Sequence, residues 1–320
     1  MAYSRILTYY NEAKILYNGG ICKPRTAIIY PVYGCNLDCK GCICQSDNYN
    51  PIYMDFEKFK KLITELKEYG VESIEFCGGG EPLLHPYIKE MITYITEDKK
   101  LAFGIMTNGI LLDDEISNLI INNASYIRIS LYDSTFYEVF DGLKKLIELK
   151  KSNGSTIEVS SKLLVSNRNI DMIPSQCVEL TYLDLNLISI KAERNSECEI
   201  TVQQAKELSQ LLKQINSEVI VVGLEKSIIN EKCWMSPIHA LIDPYGDLYI
   251  CCYYVNRPDK HRIGNVFEKT FSQIWASQIH KEKINNIVVD ECNLYDCRWH
   301  SYNKQMRNLL DGNKVYYLFC

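Results

Sequence analysis

Short β-branched runs alternate with helix-length amphipathic segments through most of this chain, and that alternation limits the fold more than any other feature. Residues 26–30, 73–76, 102–106, 126–131, 157–165 and 182–190 read as six strands. Between the first two, Phe56, Phe59, Leu62, Ile63 and Leu66 recur with a helical period. Residues 87–96 and stretches near 113–121, 136–151 and 169–179 read as further helices. Six β–α repeats predict an α/β fold: a parallel sheet with right-handed crossovers, curved into a partial (β/α)6, TIM-like barrel. A helix near 201–216 and a strand near 218–222 lead out of it. Beyond residue 230 the texture changes. Residues 240–242, the turn Asp243-Pro-Tyr-Gly246 and residues 248–253 read as a β-hairpin, with a helix near 271–280 after it. The expected division is a core at 1–216 with its motifs at 26–191, a small hairpin-and-helix domain at 217–303, and a tail at 304–320.

Composition excludes several classes of function. The 35 basic and 40 acidic residues are dispersed and leave a net charge of -5, so nothing predicts capture of nucleic acid or of an anionic membrane. No apolar run is long enough to span a bilayer, and Glu12 and Lys14 interrupt the N-terminal segment, so no signal peptide is read. A cytoplasmic address is expected. The 14 cysteines are many for an ordinary enzyme, and in that compartment clustered cysteines predict metal ligands ahead of disulfides.

Three of them, Cys35, Cys39 and Cys42, stand at spacing C-x3-C-x2-C just past the first strand. Three thiolates can hold three irons of a cubic cluster and leave the fourth iron open to another ligand. A zinc knuckle is the alternative, with Cys44 as a nearby fourth thiol. The run Gly78-Gly79-Gly80-Glu81-Pro82 follows the second strand, and Thr107-Asn108-Gly109 follows the third. All three segments leave the carboxyl end of the sheet, where active sites of parallel α/β architectures collect. Glycines allow close backbone approach to a ligand, and Glu81 suits an ammonium group.

In this order the motifs resemble those of the radical S-adenosylmethionine (radical SAM) enzymes. The resemblance implies a 4Fe–4S cluster on Cys35, Cys39 and Cys42. It places S-adenosylmethionine against Gly79, Gly80, Glu81, Asn108 and Ser130, with Glu81 on the methionine ammonium. It also implies an external one-electron donor of flavodoxin or ferredoxin type. One departure is Gly41, at a position where the family often has an aromatic residue that packs on adenine.

Further on, Cys233 and Cys251 frame the hairpin as C-x12-G-x4-C, and Cys292 and Cys297 follow as C-x4-C. Four soft ligands can close a zinc or a 4Fe–4S site. The arrangement resembles the auxiliary-cluster domains called SPASM in the long form and Twitch in the short form. Only Cys320 follows Cys297, so the short form with one auxiliary cluster is expected. Cys252 is a candidate catalytic hydrogen donor: if Cys251 faces the cluster, strand alternation turns Cys252 elsewhere. Among lesser candidates, Cys77 is expected in the core, and Lys191 and Arg194 in a loop past strand six. His85 and His300 are expected at the surface.

These readings predict hydrogen abstraction from a small, carbohydrate-like molecule, leading to oxidation or epimerisation. The alternatives are a maturase acting on a peptide and a non-catalytic iron–sulfur or zinc protein. The short segment before Thr26 weighs against the peptide.

Overall fold

The computed structural model describes residues 8–39, 42, 44, 50–193, 197–215, 218–224, 232–252, 258–294, 297 and 299–311. Gly41, Arg194, Cys320 and the aromatic tail from 314 lie outside the described residues. In chain order the elements are α1 (Tyr10–Tyr17), β1 (Thr26–Ile29), the antiparallel pair β2 (Val32–Tyr33) and β3 (Ile52–Tyr53), α2 (Phe56–Tyr69), β4 (Ser73–Phe76), α3 (Ile88–Thr96) and β5 (Ala102–Thr107). They continue with α4 (Asp114–Asn123), β6 (Tyr126–Leu131), α5 (Phe136–Ser152), β7 (Glu158–Val165), α6 (Ile173–Thr181), β8 (Leu187–Ala192), α7 (Val202–Leu212) and β9 (Ile220–Gly223). The last are β10 (His239–Ile242), β11 (Asp247–Tyr249), α8 (Pro258–His261), β12 (Arg262–Asn265), α9 (Phe271–Trp275), α10 (Gln278–Asn285) and α11 (His300–Asp311).

The chain divides into two compact units, one of Ile29–Lys61 and Ser73–Lys226, the other of Met1–Ile28, Leu62–Glu72 and Ser227–Cys320. In the first unit β4 to β9 pair in sequence order, every pair parallel. A helix connects each strand to the next, which parallel pairing requires. Cys77 N–H, just past β4, donates to the carbonyl of Ile29 at 3.3 Å. This is the parallel α/β architecture expected. The last strand, β9, pairs with β8 from Ile188↔Ile220 to Lys191↔Gly223.

Strands buried on both faces of a parallel sheet read as continuous apolar runs. These strands do not. In β6, Ile127, Ile129 and Leu131 are buried while Tyr126, Arg128 and Ser130 are half-buried; β8 repeats the pattern with Ile188, Ile190 and Ala192 against Leu187, Ser189 and Lys191. One face carries the apolar core, where the Phe76 ring meets Phe59 and Phe103. The other face is polar and partly open. Lys191 belongs to β8, not to the loop where the sequence suggested it. On the polar face a Cβ at Gly104 would stand 2.1 Å from the Tyr126 ring. Glycine there lets the ring lie flat enough for Tyr126 Oη to donate to Glu75 Oε2. Gly104→Ala is expected to destabilise the fold by about 1–3 kcal/mol through overpacking, measured as a lowered urea midpoint at unchanged slope; an unshifted midpoint would remove the close approach.

In the second unit β10, β11 and β12 form an antiparallel sheet, the expected hairpin plus one more strand. The turn closes through Asp243, whose Oδ1 accepts from Tyr245 N–H and Asp247 N–H at 3.0 and 2.9 Å. Ala13, Leu16, Cys22, Trp234, Met235, Ile238 and Met306 make one buried cluster. So α1, expected in the core domain, and α11, expected as tail, both belong to this unit. Met306 and Asn303 are buried three residues apart, one face of a helix.

Candidate active site

Three loops converge in the first unit at the carboxyl ends of β1, β4 and β5. Their meeting point is backbone against backbone. Glu81 N–H donates to Gly34 O at 2.9 Å, and a Cβ built on Gly80 would lie 1.8 Å from that same oxygen. Gly79 has φ +68, the left-handed region that glycine favours, and a Cβ there would meet Val32 O at 2.8 Å. The glycine run is therefore required by the neighbouring loop as well as by any ligand.

Glu81 ties the second loop to the third. It is 2% exposed. Its Oε1 accepts from Thr107 Oγ1 at 2.6 Å and from Leu83 N–H at 3.1 Å, and its Oε2 accepts from Asn108 N–H at 2.7 Å. Burial raises its pKa, and the three hydrogen bonds oppose that rise. Asn108 then reaches the cysteine loop: its Nδ2 donates to Asn36 Oδ1 at 2.7 Å and stands 3.9 Å from Cys35 Sγ. Ser130 is half-buried on the polar face of β6.

Cys35 and Cys39 are half-buried and Cys42 is exposed. Cys42 N–H donates to Cys39 O at 2.9 Å, which closes the loop between them. Burial, and then the charge of the Cys42 thiolate, pushes Cys39 up to about 11; Cys35 is raised by burial, with Glu81 and Cys42 adding to it. Thiols held this way need a cation to become thiolates, and bound iron supplies one. Among the described residues no three His, Cys, Asp or Glu side chains converge on one ion. A cubic cluster asks for something different, since each thiolate takes its own iron. The donor set, its spread along one loop and the glycine-lined cradle beside it fit a cluster with one open iron.

One residue here carried no signal on its own. Tyr132, just past β6, hydrogen-bonds to Cys39, with Cys42 and Cys35 near enough to raise its pKa further. Cys44, expected as a neighbour of the site, accepts from Gly79 N–H at 3.3 Å, and its pKa is raised first by a hydrogen bond with Cys42. Cys77 is buried as expected, with Sγ 3.3 Å from Glu75 Oε1. His85 corrects the expectation of a surface position. It is 2% exposed, its Nε2 pairs with Met54 O at 2.9 Å and its Nδ1 accepts from Tyr87 N–H at 3.1 Å. Burial lowers its pKa, and both nitrogens are occupied by backbone. His300 is half-buried at the start of α11.

In the second unit Cys233 accepts from Ser236 N–H at 3.4 Å, and Asn303 fixes the adjoining backbone by accepting from Trp234 N–H at 2.7 Å and Met235 N–H at 3.1 Å. Burial raises Cys233 to about 11, with Cys292 as a like-charge neighbour. Burial raises Cys297 to about 12, followed by the charges of Cys233, Cys252 and Cys292. Cys252 is thus near enough to Cys297 for its charge to be felt there. The alternation that would turn it away does not reach it: β11 ends at Tyr249, after a register shift against β12. Cys251 is half-buried beside it.

The Radical SAM superfamily matches residues 29–167, and the iron-sulfur cluster-binding domain SPASM matches residues 233–298. Mycofactocin maturase MftC of Mycolicibacterium smegmatis is 23% identical over 78% of this chain and 70% of its own length. The antilisterial bacteriocin subtilosin biosynthesis protein AlbA of Bacillus subtilis is 25% identical over 81% of this chain and 61% of its own length. Across these curated relatives the alignments span from 28% to 72% of the relative. Among solved structures, Streptococcus suis SuiB bound to S-adenosylmethionine aligns with a TM-score of 0.66 at 16% identity, covering 86% of this chain and 70% of its own, which shows a shared fold. A domain of the first family implies a 4Fe–4S cluster and S-adenosylmethionine, and one of the second implies auxiliary iron–sulfur clusters. Residues 29–167 therefore form a Radical SAM superfamily domain, and residues 233–298 a SPASM iron–sulfur cluster-binding domain.

Proposed function

We propose that this protein is a radical SAM enzyme that modifies a peptide. The observation that carries the radical chemistry is the stitching of the three loops: Gly34 to Glu81, Glu81 to Thr107 and Asn108, and Asn108 to Asn36 beside Cys35. Cys35, Cys39 and Cys42 would hold the cluster, and Gly79, Gly80, Glu81, Asn108 and Ser130 would hold S-adenosylmethionine beside it. Bound there, these groups would supply the radical chemistry that abstracts a hydrogen atom from the substrate. The chain's part is to hold the loops in register, seat the methionine end on the glycine backbone and keep the polar face of the sheet open to substrate. With Glu81 already accepting three hydrogen bonds, the methionine ammonium would share its remaining lone pair with backbone carbonyls of the loop. Cys233, Cys292 and Cys297, with Cys251 or Cys252, would hold an auxiliary cluster.

The peptide replaces the carbohydrate-like substrate expected from the sequence. It is supported by relatives that align over 78% and 81% of this chain and are named as a maturase and a bacteriocin biosynthesis protein, and by SuiB, whose fold is shared and which has been seen bound to its precursor peptide SuiA. The test is anaerobic reduction with S-adenosylmethionine in the presence of short peptides encoded beside the gene, or of aminocyclitols and monosaccharides. Faster 5′-deoxyadenosine release together with a mass change in a peptide is the expected result. Stimulation and turnover by the sugars alone would overturn the peptide reading and restore the small-molecule one.

A further inference from the structure

The sulfurs of the cysteine loop are not held by that loop alone. Leu37 N–H donates to Cys35 Sγ at 3.4 Å, and Asn108 Nδ2, from the loop after β5, stands 3.9 Å from the same sulfur. A side chain from a further element reaches the second cysteine: Tyr132 is hydrogen-bonded to Cys39. The ladder of β6 with β7 runs to Leu131↔Leu163, and the backbone at Tyr132 stays extended beyond it, with φ -109 and ψ 153. Side chains of extended backbone alternate, so Tyr132 follows Tyr126, Arg128 and Ser130 onto the polar face, at the end of the sheet where the three loops meet. Thr135 N–H donates to Tyr132 O at 3.2 Å, and that turn pins the residue before α5 begins.

Chemistry fixes the direction of this bond. A thiolate can only accept, and the phenol is the partner with a proton to give. The bond favours the thiolate of Cys39 and the protonated form of Tyr132, so the two residues agree on which of them donates. Burial, and then the charge of the Cys39 thiolate, pushes the Tyr132 hydroxyl well above its ordinary range, which keeps it a donor. Packing does not require that hydroxyl: Phe would fill the same half-buried place. The phenol oxygen is therefore the part of Tyr132 that only the cysteine uses.

We propose that Tyr132 is a positioning residue for the cluster on Cys35, Cys39 and Cys42: its hydroxyl donates to the iron-bound sulfur of Cys39 and raises the reduction potential of that cluster. An electron entering the cluster adds negative charge to its sulfurs, and a donor aimed at one of them favours the reduced state over the oxidised one. The electron comes from a one-electron carrier of flavodoxin or ferredoxin type. No bond to Tyr132 forms or breaks, and its proton stays on oxygen. This inference rests on the radical SAM reading above, and it concerns how readily the cluster is reduced rather than which molecule is modified.

The test is a redox titration of the reconstituted protein followed by electron paramagnetic resonance. The first cluster is read from the signal that changes when S-adenosylmethionine is added, since only a cluster with an open iron can bind it. The auxiliary cluster, on cysteines of the other unit, is the internal reference. Tyr132→Phe keeps the ring and removes the donor. It should hold as much iron as the wild type and shift the one-electron reduction equilibrium of the first cluster about ten-fold toward the oxidised state, a midpoint lower by about 59 mV, the scale of one hydrogen bond to a charged group. The auxiliary midpoint should stay in place. Fluorotyrosine installed at position 132, whose more acidic hydroxyl is a stronger donor, should move the first midpoint upward, and it serves if Tyr132→Phe fails to take up the cluster. A midpoint that Tyr132→Phe leaves unchanged at full iron content overturns the proposal, as does a fluorotyrosine midpoint that is unmoved or lower. So does an equal shift of both clusters, which reports a general loosening of the fold. A wild-type protein with no signal sensitive to S-adenosylmethionine would sink the radical SAM reading itself. A sensitive signal whose midpoint ignores Tyr132 would sink this inference alone.

Discussion

Replacing Cys35, Cys39 and Cys42 together by Ala is expected to lower the iron content after anaerobic reconstitution from about eight atoms per chain to about four, the difference of one 4Fe–4S cluster. Release of 5′-deoxyadenosine should fall to background in the same variant, because the open iron is the only position in this reading from which S-adenosylmethionine is cleaved. The remaining irons would belong to the second unit, where Asn303 Oδ1 accepts from Trp234 N–H and Met235 N–H beside Cys233. Iron that stays near eight would remove the first cluster from the account, and zinc in its place would restore the knuckle. Cys44→Ala is the informative companion. Its thiol lies against Cys42 and Gly79 N–H, yet as a neighbour and not a ligand its removal should leave the iron count at about eight.

Glu81→Ala should be the most damaging single substitution in the first unit. It orphans three donors at once, Thr107 Oγ1–H, Leu83 N–H and Asn108 N–H. Each buried unsatisfied donor costs about 1–3 kcal/mol, so a loss of about 3 kcal/mol or more is expected in thermal or urea unfolding of the cluster-free protein. S-adenosylmethionine binding should be lost with it. Glu81→Gln is milder: its amide oxygen can keep part of the set, while its NH2 group faces one of the donors. The two variants also separate a pH effect. Burial raises the folded-state pKa of Glu81 above the ordinary 4.5. In that window the folded state binds the proton more tightly than the unfolded chain, so the stabilising contribution is full below 4.5 and is lost as pH rises through the folded value. The wild-type chain should therefore show a declining Glu81 contribution just above pH 4.5 that is absent in Glu81→Gln. An identical pH profile in the two proteins would mean that the carboxyl is not desolvated as the structure has it.

Much of this was legible in the residues. Ser73–Phe76 and Tyr126–Leu131 were read with the bounds they have, and the period of Phe56, Phe59, Leu62, Ile63 and Leu66 marks the helix Phe56–Tyr69. These segments are long enough, and periodic enough, for local pattern to decide them. His85 was misread because a polar residue in a turn suggests solvent, and only the approach of Met54 O and Tyr87 N–H makes a buried place for it. The packing of α11 was not legible because its charged and polar members look unremarkable until Met306 is seen among Ala13, Leu16 and Trp234. Lys191 was taken for a loop residue because the end of β8 is set by its partner β7, which extends to Val165.

By itself the sequence determined the chemistry that lives within a few residues: three thiols in one short loop, a glycine run after one strand, an Asn-Gly turn after the next, and the β–α period that puts all of them at the same end of a sheet. Spacing along the chain carries that information directly. Only the tertiary structure decided what Glu81 holds, since its partners at 107 and 108 lie on another strand. It decided as well where strand alternation stops, at Tyr249, so alternation does not set which way Cys252 faces. And it decided that Tyr132 meets Cys39. Periodicity says which residues share a face of their own strand; which faces adjoin, and in what register, is set by pairing between segments far apart in the chain.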